Sequence, residues 1–357
     1  MRSPISIFTQ RQIFQSIKEK LFKTPWHSFI SLILIYLIFK FFIPFFNWAI
    51  IDASFIGESR SSCHPDGACW VFIAKKINQF IYGFYPEKEI WRLNLVFIGF
   101  FLSLVFLKFV KKSLQKSITF FLLLGFPILS FILLRGGFFG LTSVDTSSWG
   151  GLSLTLIIAA VGIVGSLPLG ILLALGRRST LPVIKTLCIL FIEFWRGVPL
   201  ITVLFMSSVM LPLFLPEGIN IDKLLRALIG VVLFSSAYMA EVIRGGLQGL
   251  SKGQYEASEA LGLNYWKKMR LVILPQALRL VIPGIVNTFI GLFKDTTLVL
   301  VIGLFDLLGM VQAATTDPEW LGYSTEGYLF AGFGFWIFCF AMSRFSHKLE
   351  TNHVNPY

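Results

Sequence analysis

The chain has 357 residues, of which 55% are hydrophobic, 16% aromatic and only 14% charged, and its mean hydropathy is +0.75. That balance excludes a soluble globular domain and places the protein in a bilayer, against lipid. The formal charge of +12 falls in short Lys/Arg clusters between apolar runs, the pattern that orients a membrane protein, so it reads as topology and not as a nucleic-acid surface.

Taken in order, Arg11, Lys18, Lys20 and Lys23 precede a first apolar run that reaches Trp48 without a small-residue cleavage site. This predicts a retained helix with a cytoplasmic N-terminus, not a cleaved leader. The first span is expected at 29–48, followed by a periplasmic loop to about Arg92 that holds Cys63 and Cys69 in Ser-Ser-Cys-His-Pro-Asp-Gly-Ala-Cys-Trp. In an oxidising compartment these two are candidates for a disulfide, with two free thiols as the alternative. Cys188 and Cys339 lie in apolar segments and read as ordinary buried thiols.

A second span at 93–109 meets the basic turn Lys111, Lys112 and Lys116, and a third is expected at 118–134. A fourth, 152–175, stops at Arg177 and Arg178, and its Gly162 and Gly170 suit close helix contact. Glu193, Arg196 and the Gly197-Val198-Pro199 breaker then interrupt an apolar stretch. Charge parity resolves it into an interfacial helix up to Trp195 and one span at 198–215. A sixth span, 227–243, delivers Arg244 to the cytoplasm, and a seventh, 278–292, continues through a broken section towards Leu308. The eighth, 328–342, ends at Arg344 and Lys348. The expected fold class is therefore an all-α integral membrane protein with about eight transmembrane helices and both termini cytoplasmic.

The long loop 251–275 is expected to be a helix, a turn and a helix: Gly262 terminates the first, Asn264 caps the second, and Pro275 ends the unit. Its surface mixes Glu256 and Glu259 with Tyr255, Tyr265 and Trp266, which a protein partner could grip, an inert capped linker being the alternative. Ionisable groups at membrane depth cost several kcal/mol unless paired or wetted. Glu241 and Arg244, three apart, suit a terminal ion pair, while Glu193 and Arg196 suit packing or gating at the cytoplasmic interface. Lys294 and Asp295 interrupt an apolar helix and precede Thr296 and Thr297. They offer either one charge of each sign for a zwitterionic solute or a structural pair at a helix break, with Asn287 a further pathway candidate.

Glu256-Ala257-Ser258, Gly262 and Val272-Ile273-Leu274-Pro275 resemble the EAA loop of ABC importer permeases, with Ser258 in place of Ala and Val272 in place of Ile. Ala240-Glu241-Val242-Ile243-Arg244-Gly245-Gly246, Pro275-Gln276-Ala277-Leu278-Arg279, Phe293-Lys294-Asp295-Thr296-Thr297-Leu298 and Glu193-Phe194-Trp195-Arg196-Gly197-Val198-Pro199-Leu200 resemble the polar amino-acid uptake branch. The three additional N-terminal spans resemble the longer permease of general L-amino-acid systems.

The resemblance implies a type I importer core of five helices at 150–350, an N-terminal extension at 1–149, and a cytoplasmic tail at 351–357. It makes Tyr255, Glu256, Ala257, Ser258, Glu259 and Gly262 the residues that couple to an ATPase. Its implied partners are a second homologous permease, an ABC ATPase dimer that holds ATP and Mg, and a periplasmic amino-acid-binding protein, in a bacterial inner membrane. No Gly-Lys dipeptide occurs in the chain, so it has no Gly-x-x-x-x-Gly-Lys phosphate cradle, and neither a cofactor nor a metal site is expected on it. The competing class is a secondary transporter driven by an ion gradient, since buried carboxylates also relay protons.

Overall fold

In the computed structural model, residues 20–354 are described apart from 139, 217 and 220. Arg11, Lys18 and the last three residues of the expected tail lie outside them. The described residues are helical, with isolated bridges and no β-strand among them. Packing divides the chain into two units, 1–75 and 76–357.

In the first unit, α1 spans Pro25–Phe46 and starts where the Thr24 side chain accepts from the His27 N–H at 3.2 Å, with Pro25 in the first turn. After a widened turn, Asn47–Ile51, the chain folds back on itself. Ser54 N donates to Ala68 O at 2.8 Å, and Trp70 Nε1 donates to Ala49 O at 2.8 Å. Cys63 and Cys69 are disulfide-bonded across this hairpin, their Cα atoms 5.4 Å apart. A Cβ at Gly67 would sit 1.8 Å from the Asp52 carbonyl oxygen, so only glycine lets the two arms of the loop close.

Helix α2, Trp70–Tyr82, lies where the sequence suggests only loop and carries the chain out of the first unit into the second. In the second unit follow α3 (Ile90–Phe109), α4 (Lys112–Phe120), α5 (Phe126–Arg135), α6 (Gly151–Arg177), α7 (Pro182–Gly197), α8 (Leu200–Phe205) and α9 (Lys223–Gly249). Then come α10 (Lys252–Ala260), α11 (Tyr265–Lys268), α12 (Leu274–Leu280), α13 (Ile282–Asp295), α14 (Leu307–Thr315) and α15 (Ser324–Val354).

Among the described residues, six helices are long and apolar enough to cross a membrane, or seven if the bent pair α7 and α8 forms one span. The expected count of eight would also need 112–135 to cross. There the helix is segmented by a widened turn at Phe121–Gly125, and its apolar α-helical piece, Phe126–Arg135, is short.

The core is the crossing of α6 and α9. Cβ atoms at Gly165 and Gly170 would approach Val232 and Met239 to 2.9 and 2.7 Å, so the two helices meet as closely as the missing side chains allow. Val231, Leu154 and Ile158 form one cluster with Leu93, Leu134, Val144 and Trp149, so the helices of 76–149 share the core of the later ones. The chain bends by 100° between α7 and the helical stretch Leu200–Phe214, where Pro199 lacks a donor and restricts the preceding residue. Buried Arg226 donates to Ser207 O and Ser208 O at 3.3 and 2.7 Å, satisfying carbonyls where the helix widens at Met206–Met210.

Candidate functional site

The 251–275 loop folds as the expected helix and turn. Gly262 has φ +71°, and Gly262 N and Leu263 N donate to Glu259 O and Ser258 O at 2.9 and 3.3 Å. That pair of bonds is a Schellman motif, which a residue without Cβ closes at least cost. Asn264 Oδ1 then caps α11 by accepting from Lys267 N at 3.0 Å. Pro275 does not end the unit. The helix runs on from α11 into α12 through a widened turn, Met269–Ile273, and Pro275 falls in the first turn after it, where its missing N–H and its ring are accommodated.

The named residues of this loop divide between its two faces. Ser258 is buried and donates to Tyr255 O at 2.7 Å. Tyr255 is half-buried and turned towards the bundle, not into the aromatic surface expected of it, because its hydroxyl donates to Leu247 O at 2.9 Å. Outward lie Glu256, Ala257, Glu259 and Gly262. Glu259 is ion-paired with Lys268, whereas Glu256 has no partner among the described residues. Beside them stand Leu261 and Trp266, 78% and 68% exposed, together with Leu271.

At the same end of the bundle a charged cluster joins α6, α7 and α9. Glu241 Oε1 accepts from Arg177 at 2.8 Å, and Oε2 accepts from Arg244 Nε at 2.9 Å and is ion-paired with Arg244 Nη2 at 2.8 Å, with Arg196 at 3.8 Å. Arg177 also reaches Glu193 at 2.8 Å. The structure therefore brings together all four expected gating or packing residues, Glu193, Arg196, Glu241 and Arg244. It adds Arg177, which in the sequence serves only as a topology signal. Arg177 and Glu241 are 64 positions apart, and no local spacing carries such a pairing.

Helix α13 presents a different surface. On its buried side Phe293 packs on α15, its ring 5.4 Å from those of Phe335 and Phe338, while Leu292 lies against Gly162 of α6. On another side Asn287, Gly291 and Lys294 follow one another at helical spacing: Asn287 and Lys294 are exposed, and a Cβ at Gly291 would meet nothing within 4 Å. Asp295 is half-buried, about 100° round the helix from Lys294, and the two form no ion pair. Thr296 and Thr297 donate to Phe293 O and Lys294 O at 2.8 and 2.9 Å where α13 tightens into the 3-10 turn Thr296–Ile302. The helix break is thus held by the threonine hydroxyls and not by a Lys294–Asp295 pair. Among the described residues no group of three or more His, Cys, Asp and Glu is placed to hold a metal.

Residues 166–351 match the model of the family described as binding-protein-dependent transport system inner membrane component. The chain is 56% identical over 336 residues to the inner membrane amino-acid ABC transporter permease protein YhdY of Escherichia coli K12, covering 94% of this chain and 91% of that one. It is 43% identical to the glutamate/glutamine/aspartate/asparagine transport system permease protein BztC of Rhodobacter capsulatus, over 80% of this chain and 78% of that one. Among solved structures, a crystal structure of an amino acid ABC transporter with histidines aligns with a TM-score of 0.51 at 29% identity, covering 57% of this chain and 92% of that one. The family match begins well after α3 to α5, whereas the similarity to the Escherichia coli protein extends into that N-terminal part.

Proposed function

We propose a function from one premise: the chain belongs to the family of inner membrane components of binding-protein-dependent transport systems and is a membrane-spanning permease of that kind. Its cargo is an amino acid, brought by a periplasmic binding protein to a pathway formed with a second, homologous permease. ATP and Mg are held and turned over by a separate ABC ATPase dimer, so the chain is not itself an enzyme. It lies in a bacterial inner membrane, with both termini and the 251–275 loop in the cytoplasm. Residues 150–350 form the permease core, 1–149 an extension and 351–357 a tail, while lipid covers the outward Phe and Leu faces.

One observation carries the coupling role. The loop is rigidly capped and anchored inward by Tyr255 and Ser258, yet it presents Glu256, unpaired among the described residues, beside exposed Leu261, Trp266 and Leu271. Apolar side chains exposed around a free charge are what a docked partner covers. The ATPase binds here, Glu256 pairs with one of its basic residues, and the rigid helix passes its movement on. A carrier driven by an ion gradient has no use for such a loop, and family membership decides against that alternative.

Cargo passes along the uncovered side of α13, where Lys294 meets the carboxylate of the amino acid and Asp295, with Asn287, lies within reach of the polar remainder. The test is uptake of a panel of labelled amino acids by vesicles containing the whole complex. Glu256→Lys should abolish ATP-dependent uptake and the recovery of the ATPase with a tagged permease. Lys294→Ala and Asp295→Ala should lower uptake with the ATPase still bound. Retained uptake in Glu256→Lys sinks the coupling assignment, and unaltered uptake in both α13 variants sinks the pathway assignment.

A further inference from the structure

The end of α6 touches both the 251–275 loop and the charged cluster. Helix α9 stops at Gly249, so its last carbonyls have no partner within the helix. One of these, Leu247 O, accepts from Tyr255 Oη and from Arg178 Nη1, each at 2.9 Å. Arg178 Nη1 also donates to Tyr255 Oη at 2.9 Å, and the guanidinium lies over the Tyr255 ring, 5.3 Å from its centroid. The neighbouring Arg177 donates to Glu193 and Glu241 at 2.8 Å. Two consecutive residues at one helix end thus hold the aromatic anchor of α10 on one side and the carboxylates of α7 and α9 on the other.

Apolar packing alone would keep Tyr255 in its place but leave the ring free to tilt. A planar guanidinium that both lies over the ring and hydrogen-bonds its hydroxyl fixes orientation as well as position. We infer that Arg178 is a positioning residue for energy coupling: it clamps Tyr255 so that displacement of α10 moves the end of α6 and, through Arg177, the Glu193–Glu241 cluster. The inference rests on the proposal that the 251–275 loop receives the ATPase. In this role Arg178 meets neither nucleotide nor cargo. Its loss slackens the linkage while leaving the outward docking face of α10 unaltered.

The test uses the whole complex of permeases, ATPase and binding protein in proteoliposomes, with ATP hydrolysis and amino-acid uptake read in the same vesicles. Arg178→Gln should lower uptake about tenfold, the change expected of one lost charge-assisted hydrogen bond, while hydrolysis stays within about twofold. ATP hydrolysed per amino acid imported should then rise roughly fivefold or more. Arg178→Lys keeps the charge without the planar fork and should fall between Arg178→Gln and wild type, and Tyr255→Phe should also raise the ratio.

A merely structural role would depress uptake and hydrolysis in parallel, and an unchanged ratio in these variants overturns the inference. If Arg178→Gln does not assemble, the ratio measured in Arg178→Lys and Tyr255→Phe decides the matter in the same way. Failure of the ATPase to associate even with the wild-type permease removes the loop assignment and this inference together. Association with an unchanged ratio removes only the inference.

Discussion

Substitution of Glu241 by Gln should unfasten the cytoplasmic end of the bundle more than substitution of any other member of the cluster. Its carboxylate accepts hydrogen bonds from Arg177 and Arg244 at 2.8 and 2.9 Å and makes a second ion-pair contact with Arg244 at 2.8 Å, with Arg196 further off. The Glu241 side chain is 15% exposed, whereas Glu193 is 53% exposed and forms its ion pair, among the described residues, with Arg177. A hydrogen bond to a charged group contributes ~1.5–3 kcal/mol, but its arginine partners are partly solvated, which favours the low end per bond. Glu241→Gln also leaves an amide N–H facing a guanidinium, so its cost should be ~2–3 kcal/mol, against under ~1 kcal/mol for Glu193→Gln. Thermal denaturation of the purified permease should show Glu241→Gln melting roughly 5 °C or more below wild type, with Glu193→Gln close to wild type. Raising the salt to ~1 M should shrink the gap, because the cluster is only half-buried. Equal losses in the two variants, or a gap indifferent to salt, would refute the view that Glu241 is the centre of the cluster.

Gly170→Ala places a Cβ 2.7 Å from Met239 Cβ and 3.2 Å from the Ala240 backbone nitrogen, so α6 and α9 must part. The cost should be ~1–3 kcal/mol, seen as lower thermal stability, whereas Gly291→Ala, which meets nothing within 4 Å, should retain wild-type melting. Asp306 is fully buried, caps α14 by accepting from Gly309 N at 2.9 Å, and burial pushes its carboxyl up to about 6. Because the folded value lies above the unfolded ~3.9, its contribution is whole below the unfolded value and is lost as pH rises through about 6, by ~3 kcal/mol. Wild type should therefore gain on Asp306→Asn in melting temperature between pH 7.5 and pH 5, and parallel pH profiles would contradict this. In intact cells a membrane-impermeant maleimide should label Cys63 and Cys69 only after reduction, and Cys63→Ser with Cys69→Ser should cost the loop ~2 kcal/mol, read as faster proteolysis at 52–69. Labelling without reductant would mean free thiols.

Much of this organisation is written locally. Gly262 and Asn264 announce the turn of the 251–275 loop because caps depend on residues within one helical turn. Gly162 and Gly170 announce the α6–α9 contact because small residues have few other uses in a span. What sequence conceals is non-local or geometric. Arg177 and Arg178 look like a stop signal for a span, since their partners lie between 16 and 77 positions away. Pro275 looks like a terminator because nothing local declares the widened turn that absorbs it. Helices α2 and α14 look like loop and broken section because neither is long enough to stand out as a span.

The uncovered side of α13 bears on how the pathway is assembled. Phe293 and Leu292 show that this helix is well packed on one side, so the exposure of Asn287 and Lys294 and the open space at Gly291 on another are not general looseness. A lysine facing lipid within an apolar span would cost several kcal/mol, and lysine near a helix end escapes this only by reaching the interface. Lys294 lies inside the apolar stretch Ile282–Ile302, eight residues short of its end. Its surroundings in the membrane must therefore be water or polar protein groups. A water-lined cavity supplies such surroundings, which is why the proposed pathway runs along this side of α13 and not along its packed side.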